Sequence, residues 1–161
     1  MREKREIVGI HQSWGTDLLI GLFTFIGIFI LNFLIPGVGT IGIPAVAQSI
    51  ASATGRGIVI VAIAPIFETF FFFGIVLFLF YDKFNLPFFL SAVLTSATFM
   101  LFHISAYGNF ASASGSFITA GIMGMVFAYQ TKLTKSLLPA TITHALLNFF
   151  IAYLSLAVVI H

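Results

Sequence analysis

Long apolar stretches alternate with short polar segments along the chain, and this alternation predicts membrane-spanning helices. A helix that crosses a membrane needs about 20 predominantly apolar residues. Stretches that meet or approach this length lie at residues 18–35, 57–81, 87–107, 116–131 and 137–160. The pattern therefore predicts an all-α fold, a polytopic transmembrane helix bundle of about five spans.

The distribution of basic residues favours five crossings over six. If residues 37–56 do not cross and the N terminus is cytoplasmic, six of the seven Lys and Arg residues are cytoplasmic and only Arg56 lies outside. If the segment crosses, the division becomes four against three. Cytoplasmic loops carry an excess of positive charge. We therefore predict a multi-pass protein with a cytoplasmic N terminus, in which residues 44–54 form a short interfacial or re-entrant helix that begins at Pro44.

The composition supports one integral membrane domain that covers residues 1–161. The chain is 60% hydrophobic and only 7% charged, whereas a soluble domain has about 25% charged residues. A net charge of +2 is too small for a nucleic-acid footprint, so we expect membrane lipids and no nucleic acid among its partners. The absence of Cys excludes disulfides, thiolate metal sites and a cysteine nucleophile.

Four polar residues inside the predicted spans are the candidates for chemistry. An ionised side chain near the bilayer centre costs about 2.5–3.5 kcal/mol on insertion scales, so its presence indicates function. Glu68 is the one acidic or basic residue deep in a span, and His103 and His144 lie in two other spans. Asn148 follows His144 by four residues and therefore shares its helical face.

A purely structural role for these residues is the simplest alternative. A histidine or asparagine in a membrane helix often bridges to a neighbouring helix by a hydrogen bond, and a protonated glutamate can be structural as well. Three polar centres on three helices nevertheless favour a common site. Small residues on the fourth span (Ser116, Ala120, Gly124 and Ala128) predict close packing against a neighbour. Such packing would hold the polar groups around one cavity.

Two motifs and part of a third resemble the CPBP family, the CAAX prenyl endopeptidases and bacteriocin-processing proteins. The family pattern is Glu-Glu-x-x-x-Arg on one span, Phe-x-x-x-His on the next, and His-x-x-x-Asn two spans later. Phe99 to His103 and His144 to Asn148 match the second and third motifs, in the family's order. Glu68 matches the first Glu of the first motif. The resemblance covers residues 57–150, which we take as the CPBP-like core.

The first motif departs from the family pattern at two positions. Thr69 stands where the family has its second Glu, and Phe73 stands where it has Arg. A Glu and an Arg four residues apart on a helix can form an ion pair. Loss of one partner strands a charge in a low dielectric, whereas loss of both is nearly neutral. The paired departure is therefore compatible with chemistry at Glu68.

The resemblance implies an intramembrane peptidase that uses a glutamate-activated water, without a cofactor or a metal. Glu68 would act as the base, and His103 would help to hold the water. His144 and Asn148 would donate hydrogen bonds to the developing oxyanion. The expected partner is a peptide or protein substrate, lipidated or not.

Helical rise raises a difficulty for this site. Glu68 lies about 16 Å from the outer end of its span, and His103 lies about 6 Å from the outer end of its own span. His144 lies about 20 Å from the outer surface of a hydrocarbon core about 30 Å thick. Tilt, a different helix end or a locally thinned site must therefore bring the three groups to one depth.

Three other functions fit parts of the pattern. Glu68, His103 and His144 supply one carboxylate and two imidazoles, which suits a catalytic zinc site. The altered first motif suits a catalytically inactive membrane scaffold or a bacteriocin self-immunity protein. The two histidines could also ligate a haem. A transporter is not favoured, because the sequence shows neither an internal repeat nor a polar pore lining.

Overall fold

The regular structure of the chain is helical throughout the described residues. The computed structural model describes residues 13–34, 59–103 and 114–159. Five helices occupy these ranges: α1 (Trp14–Leu34), α2 (Val59–Lys83), α3 (Phe88–Phe102), α4 (Ser114–Thr134) and α5 (Leu138–Val159). Each helix falls on one of the predicted apolar stretches, so the all-α prediction is confirmed.

The helices differ in how well they fit a membrane by length and composition alone. Among the described residues, one segment, Val61–Lys83, is long and apolar enough to cross a membrane. Trp14–Ile28 and Phe88–Phe102 are apolar but shorter. The number of crossings and the orientation of the N terminus therefore remain predictions. The predicted helix at residues 44–54 lies outside the described residues.

Helix α2 changes from an α-helical turn to a π-helix directly after Glu68. Residues Ala64–Glu68 form an α-helical turn, and Thr69–Val76 continue as a π-helix. In a π-helix each N–H bonds to the carbonyl five residues earlier, which widens the turn, and such segments are frequent at functional sites. The Leu77 N–H accordingly donates to the Phe72 carbonyl. Glu68 therefore lies at the junction between a tight and a wide turn.

Helices α3 and α4 pack closely in an antiparallel arrangement. A Cβ atom on Gly124 would lie 2.9 Å from the Cα of Ser96, and one on Gly121 would lie 3.5 Å from the Sδ of Met100. Ala128 is fully buried, and Ala120 nearly so. The predicted close contact through small residues is thus confirmed over 120–128. It fixes α3 against the helix that lies between the second and third motifs in sequence.

Helix α1 packs against α5 next to the position of His144. A Cβ on Gly21 would lie 3.0 Å from the Cβ of Ile142, so the two backbones approach closely. The Thr143 hydroxyl lies 3.0 Å from the Gly21 carbonyl and 2.9 Å from the Pro139 carbonyl. The side-chain amide of Gln130 on α4 donates to the same hydroxyl at 3.0 Å. These contacts join α1, α4 and α5 one residue before His144.

The short connections fall where the polar segments predicted them. The turn from α2 to α3 passes through Asn85, and the turn from α4 to α5 passes through Lys135, both with left-handed φ angles (57° and 55°). Near these turns the Lys132 ammonium lies 3.9 Å from the centre of the Phe88 ring and 5.4 Å from that of Tyr81. A cation over an aromatic face is attracted to it, so Lys132 also holds α4 to α2 and α3.

Candidate active site

Helices α2, α3 and α5 bring three of the predicted site residues together. The Nε2 atom of His103 and the Nε2 atom of His144 each lie 3.6 Å from the same Glu68 oxygen, Oε2. The side chains of Glu68 and His103 keep 20% and 15% exposure, while that of His144 keeps 6%. The carboxylate and the two imidazoles therefore form one cluster with a partly open side.

His103 lies at the C-terminal end of α3. The helix ends at Phe102, and His103 forms its C-terminal cap. Fifteen residues span about 22 Å, less than the hydrocarbon core of about 30 Å. The boundary predicted for this span, at 107, lies outside the described residues.

The second nitrogen of His103 is held by the backbone of its own helix. Nδ1 lies 2.8 Å from the Phe99 carbonyl oxygen. A carbonyl only accepts hydrogen bonds, so Nδ1 is the donor and carries a proton. In the neutral imidazole, Nε2 then faces Glu68 with its lone pair.

His144 is enclosed on several sides. The Phe127 ring stacks on the imidazole with centroids 5.2 Å apart and an interplanar angle of 29°. The Phe99 ring meets it edge-on at 5.7 Å. Its Nδ1 lies 3.5 Å from the Thr69 hydroxyl oxygen. Aromatic packing thus sets the plane of the ring, and Thr69 meets the nitrogen that faces away from Glu68.

Phe99 links the two histidines. Its ring lies 4.5 Å from the His103 imidazole as well as 5.7 Å from that of His144. It also contacts Phe73 at 5.6 Å, and Phe73 contacts Phe127 at 5.5 Å. These buried rings form an apolar wall behind the polar cluster.

The remaining predicted residue, Asn148, lies on the expected face of α5. It is half-buried and follows His144 by one helical turn. Its place relative to the cluster is therefore set by the same helix that carries His144. The incidental histidines, His11 and His161, lie outside the described residues.

The two positions that depart from the family pattern are both fully buried. Thr69 and Phe73 have no exposed surface, and Phe73 fills its place with apolar packing. An isolated charge at either position would be buried without its partner, which is strongly unfavourable. Sequence reasoning treated Thr69 only as a lost glutamate and missed its contact with His144. It also missed Phe127, because an apolar residue in an apolar span carries no signal.

The described side chains show no ready-made metal site. In the part of the chain that the structure describes, no group of three or more His, Cys, Asp or Glu side chains is arranged to hold a metal ion. One carboxyl group and two imidazoles can transfer protons and form hydrogen bonds.

Comparisons with known proteins identify one family. The family model described as type II CAAX prenyl endopeptidase Rce1-like matches residues 50–150. This match contains all three motif regions, which lie on α2, α3 and the part of α5 up to residue 150, and the whole of α4. Searches of curated proteins and of solved structures gave no match.

Proposed function

Since the chain belongs to the Rce1-like family of type II CAAX prenyl endopeptidases, we propose that it is an intramembrane peptidase of the CPBP type. Its family is membrane-embedded and proteolytic. The proposed reaction is hydrolysis of a peptide bond by a water that Glu68 activates. The proposed substrate is a peptide or protein, lipidated or not, that reaches the cluster from the membrane.

One observation supports this mechanism above the others. Two imidazoles from separate helices approach one oxygen of a single intramembrane carboxylate, each at 3.6 Å. Helix bridging alone needs one such contact rather than two at the same atom. General-base hydrolysis, in contrast, needs a carboxylate surrounded by groups that position a water and a substrate carbonyl.

The proposed steps use only side chains of this chain. Glu68 and the lone pair of His103 Nε2 accept the two hydrogens of the water. Glu68 takes one proton as the water oxygen bonds to the substrate carbonyl carbon. The oxyanion that forms accepts hydrogen bonds from His144 and Asn148. The C–N bond then breaks, and the proton held by Glu68 passes to the leaving amine.

Replacement of Glu68 and of His103 tests this proposal. We expect Glu68→Gln to lower cleavage by about 10²–10⁴-fold, because loss of a general base has that effect. His103→Ala should also abolish cleavage, and both variants should insert into membranes as the parent does. The assay follows a substrate that the parent cleaves, drawn from a farnesylated C-terminal peptide, a leader peptide and a transmembrane protein.

Asp82→Asn provides the matched control for Glu68→Gln. It makes the same chemical change in α2, at the opposite end from the cluster, and should leave the cleavage rate unchanged. Cleavage at the parental rate by both Glu68→Gln and His103→Ala would refute the proposed mechanism.

The second candidate is a catalytically inactive CPBP-like scaffold or a bacteriocin self-immunity protein. The replacement of the family's Glu and Arg by the buried Thr69 and Phe73 favours it. In that case the parent cleaves none of the three substrates. The Glu68→Gln variant would then protect cells against a bacteriocin as well as the parent does.

A further inference from the structure

The two imidazoles at Glu68 have different partners on their outer nitrogens. Nδ1 of His103 meets the Phe99 carbonyl at 2.8 Å, and Nδ1 of His144 meets the Thr69 hydroxyl at 3.5 Å. A carbonyl accepts a hydrogen bond only, whereas a hydroxyl can also donate one. The Phe99 carbonyl therefore places the proton of His103 on Nδ1, whereas the tautomer of His144 depends on whether the Thr69 hydroxyl donates or accepts.

The burial of Thr69 favours the donor role for its hydroxyl. Other threonines of the described helices, such as Thr24, Thr98 and Thr141, donate to the carbonyl four residues earlier at 2.7–2.9 Å. The hydrogen bond found for Thr69 within the described part of the chain goes to His144 instead. Because Thr69 is fully buried, an O–H group that did not donate there would lose about 1–3 kcal/mol.

We infer that Thr69 is a positioning residue, which holds neutral His144 in the tautomer with its proton on Nε2. The Thr69 O–H donates to Nδ1, so that Nε2–H points towards Glu68. His103 has the opposite tautomer, with the proton on Nδ1 and the lone pair of Nε2 towards Glu68. The cluster thus places one N–H donor and one lone-pair acceptor beside Glu68, each 3.6 Å from Oε2.

The two opposite tautomers have a consequence for the reaction, and this consequence rests on the proposed function. A water next to Glu68 needs acceptors for its hydrogens, and the lone pair of His103 supplies one of them. A developing oxyanion needs donors, and the Nε2–H of His144 supplies one. Thr69 would therefore act on the rate through His144, without touching the substrate.

The tautomers are measured directly by nitrogen-15 spectroscopy of histidine-labelled protein at a pH where both rings are neutral. His103→Gln and His144→Gln identify the two sets of signals. We expect the parent to show His144 protonated on Nε2 and His103 protonated on Nδ1. His144 protonated on Nδ1 in the parent overturns the inference without any further variant.

Variants of Thr69 connect the tautomer to the rate. Thr69→Val keeps the branched shape and removes the hydroxyl, so His144 should lose its tautomer preference and kcat should fall, by at most the roughly 10²–10³-fold that loss of one oxyanion donor costs, with KM little changed. Thr69→Ser keeps the hydroxyl and should preserve both the tautomer and kcat. Thr95→Val removes another fully buried hydroxyl, on α3, and controls for the loss of a buried polar group.

The readouts separate this inference from the proposed function. An unchanged His144 tautomer in Thr69→Val refutes the positioning role. A changed tautomer supports it even when the parent cleaves no substrate, an outcome that would overturn only the peptidase proposal. A loss of kcat in Thr69→Ser equal to that in Thr69→Val would show that packing, rather than the hydroxyl, sets the rate, and would also refute the inference.

Discussion

The contact between α3 and α4 allows a quantitative test of how the site is held. A Cβ added at Gly124 would lie 2.9 Å from the Cα, Cβ and Oγ atoms of Ser96. Carbon atoms prefer a separation of about 3.5–4.0 Å, so the backbone of α3 would have to move away by roughly 0.6–1.1 Å. Overpacking of this kind costs about 1–3 kcal/mol. Because Ser96 is three residues before Phe99, the same displacement would disturb the ring that contacts both histidines.

Gly121 offers a matched control on the same helix. A Cβ there would meet only the Sδ of Met100, at 3.5 Å, which is an ordinary contact with a flexible side chain. Both Gly→Ala changes gain about the same helix propensity, about 1 kcal/mol, so this contribution cancels in the comparison. We therefore expect Gly124→Ala to be less stable than Gly121→Ala by about 1–3 kcal/mol, and to be the less active of the two.

The stability assay is reversible unfolding in mixed micelles with a rising fraction of sodium dodecyl sulfate, followed by the loss of helical circular dichroism. Ser96→Gly should recover part of the stability lost in Gly124→Ala, since it removes two of the three atoms in conflict. Equal stability of the Gly124→Ala and Gly121→Ala proteins would refute the argument that close packing at Gly124 fixes α3.

Three further predictions concern the site itself. Asn148→Ala should lower kcat by about 10²-fold or more, the effect of losing an oxyanion donor; an unchanged kcat in steady-state assays would remove Asn148 from the mechanism. The double variant Thr69→Glu with Phe73→Arg should accumulate in membranes to a higher level than either single variant, because a buried ion pair is less costly than one buried charge. A double variant that accumulates less than both single variants would contradict the pairing. A zinc chelator should leave proteolysis unchanged, whereas inhibition that added zinc reverses would favour a metal-bound cluster at Glu68.

The sequence predicted the helices well because each depends on a local property. An apolar stretch falls on each of the five helices, and polar segments fall on the turns at Asn85 and Lys135. The boundary predicted for the third span, at 107, lies outside the described residues.

The candidate residues could be found in the sequence because hydrocarbon excludes polar groups. Their convergence could not, since estimates along separate helices placed Glu68, His103 and His144 at different depths. The contacts of Thr69 and Phe127 with His144 also depend on packing between helices. In the sequence, Thr69 is noticed only because the family has a glutamate at its position. In the structure, the Thr69 hydroxyl contacts His144.

The distribution of the cluster over α2, α3 and α5 has a consequence for biosynthesis. Ribosomes make the chain from the N terminus, so Glu68 exists before His103, and His144 arrives with the last of the five helices. Until then the carboxyl group lacks one of its two imidazole neighbours, in surroundings where an ionised group costs about 2.5–3.5 kcal/mol. Glu68 must therefore stay neutral or hydrated in the nascent chain. The complete site can assemble only after α5 has been synthesised.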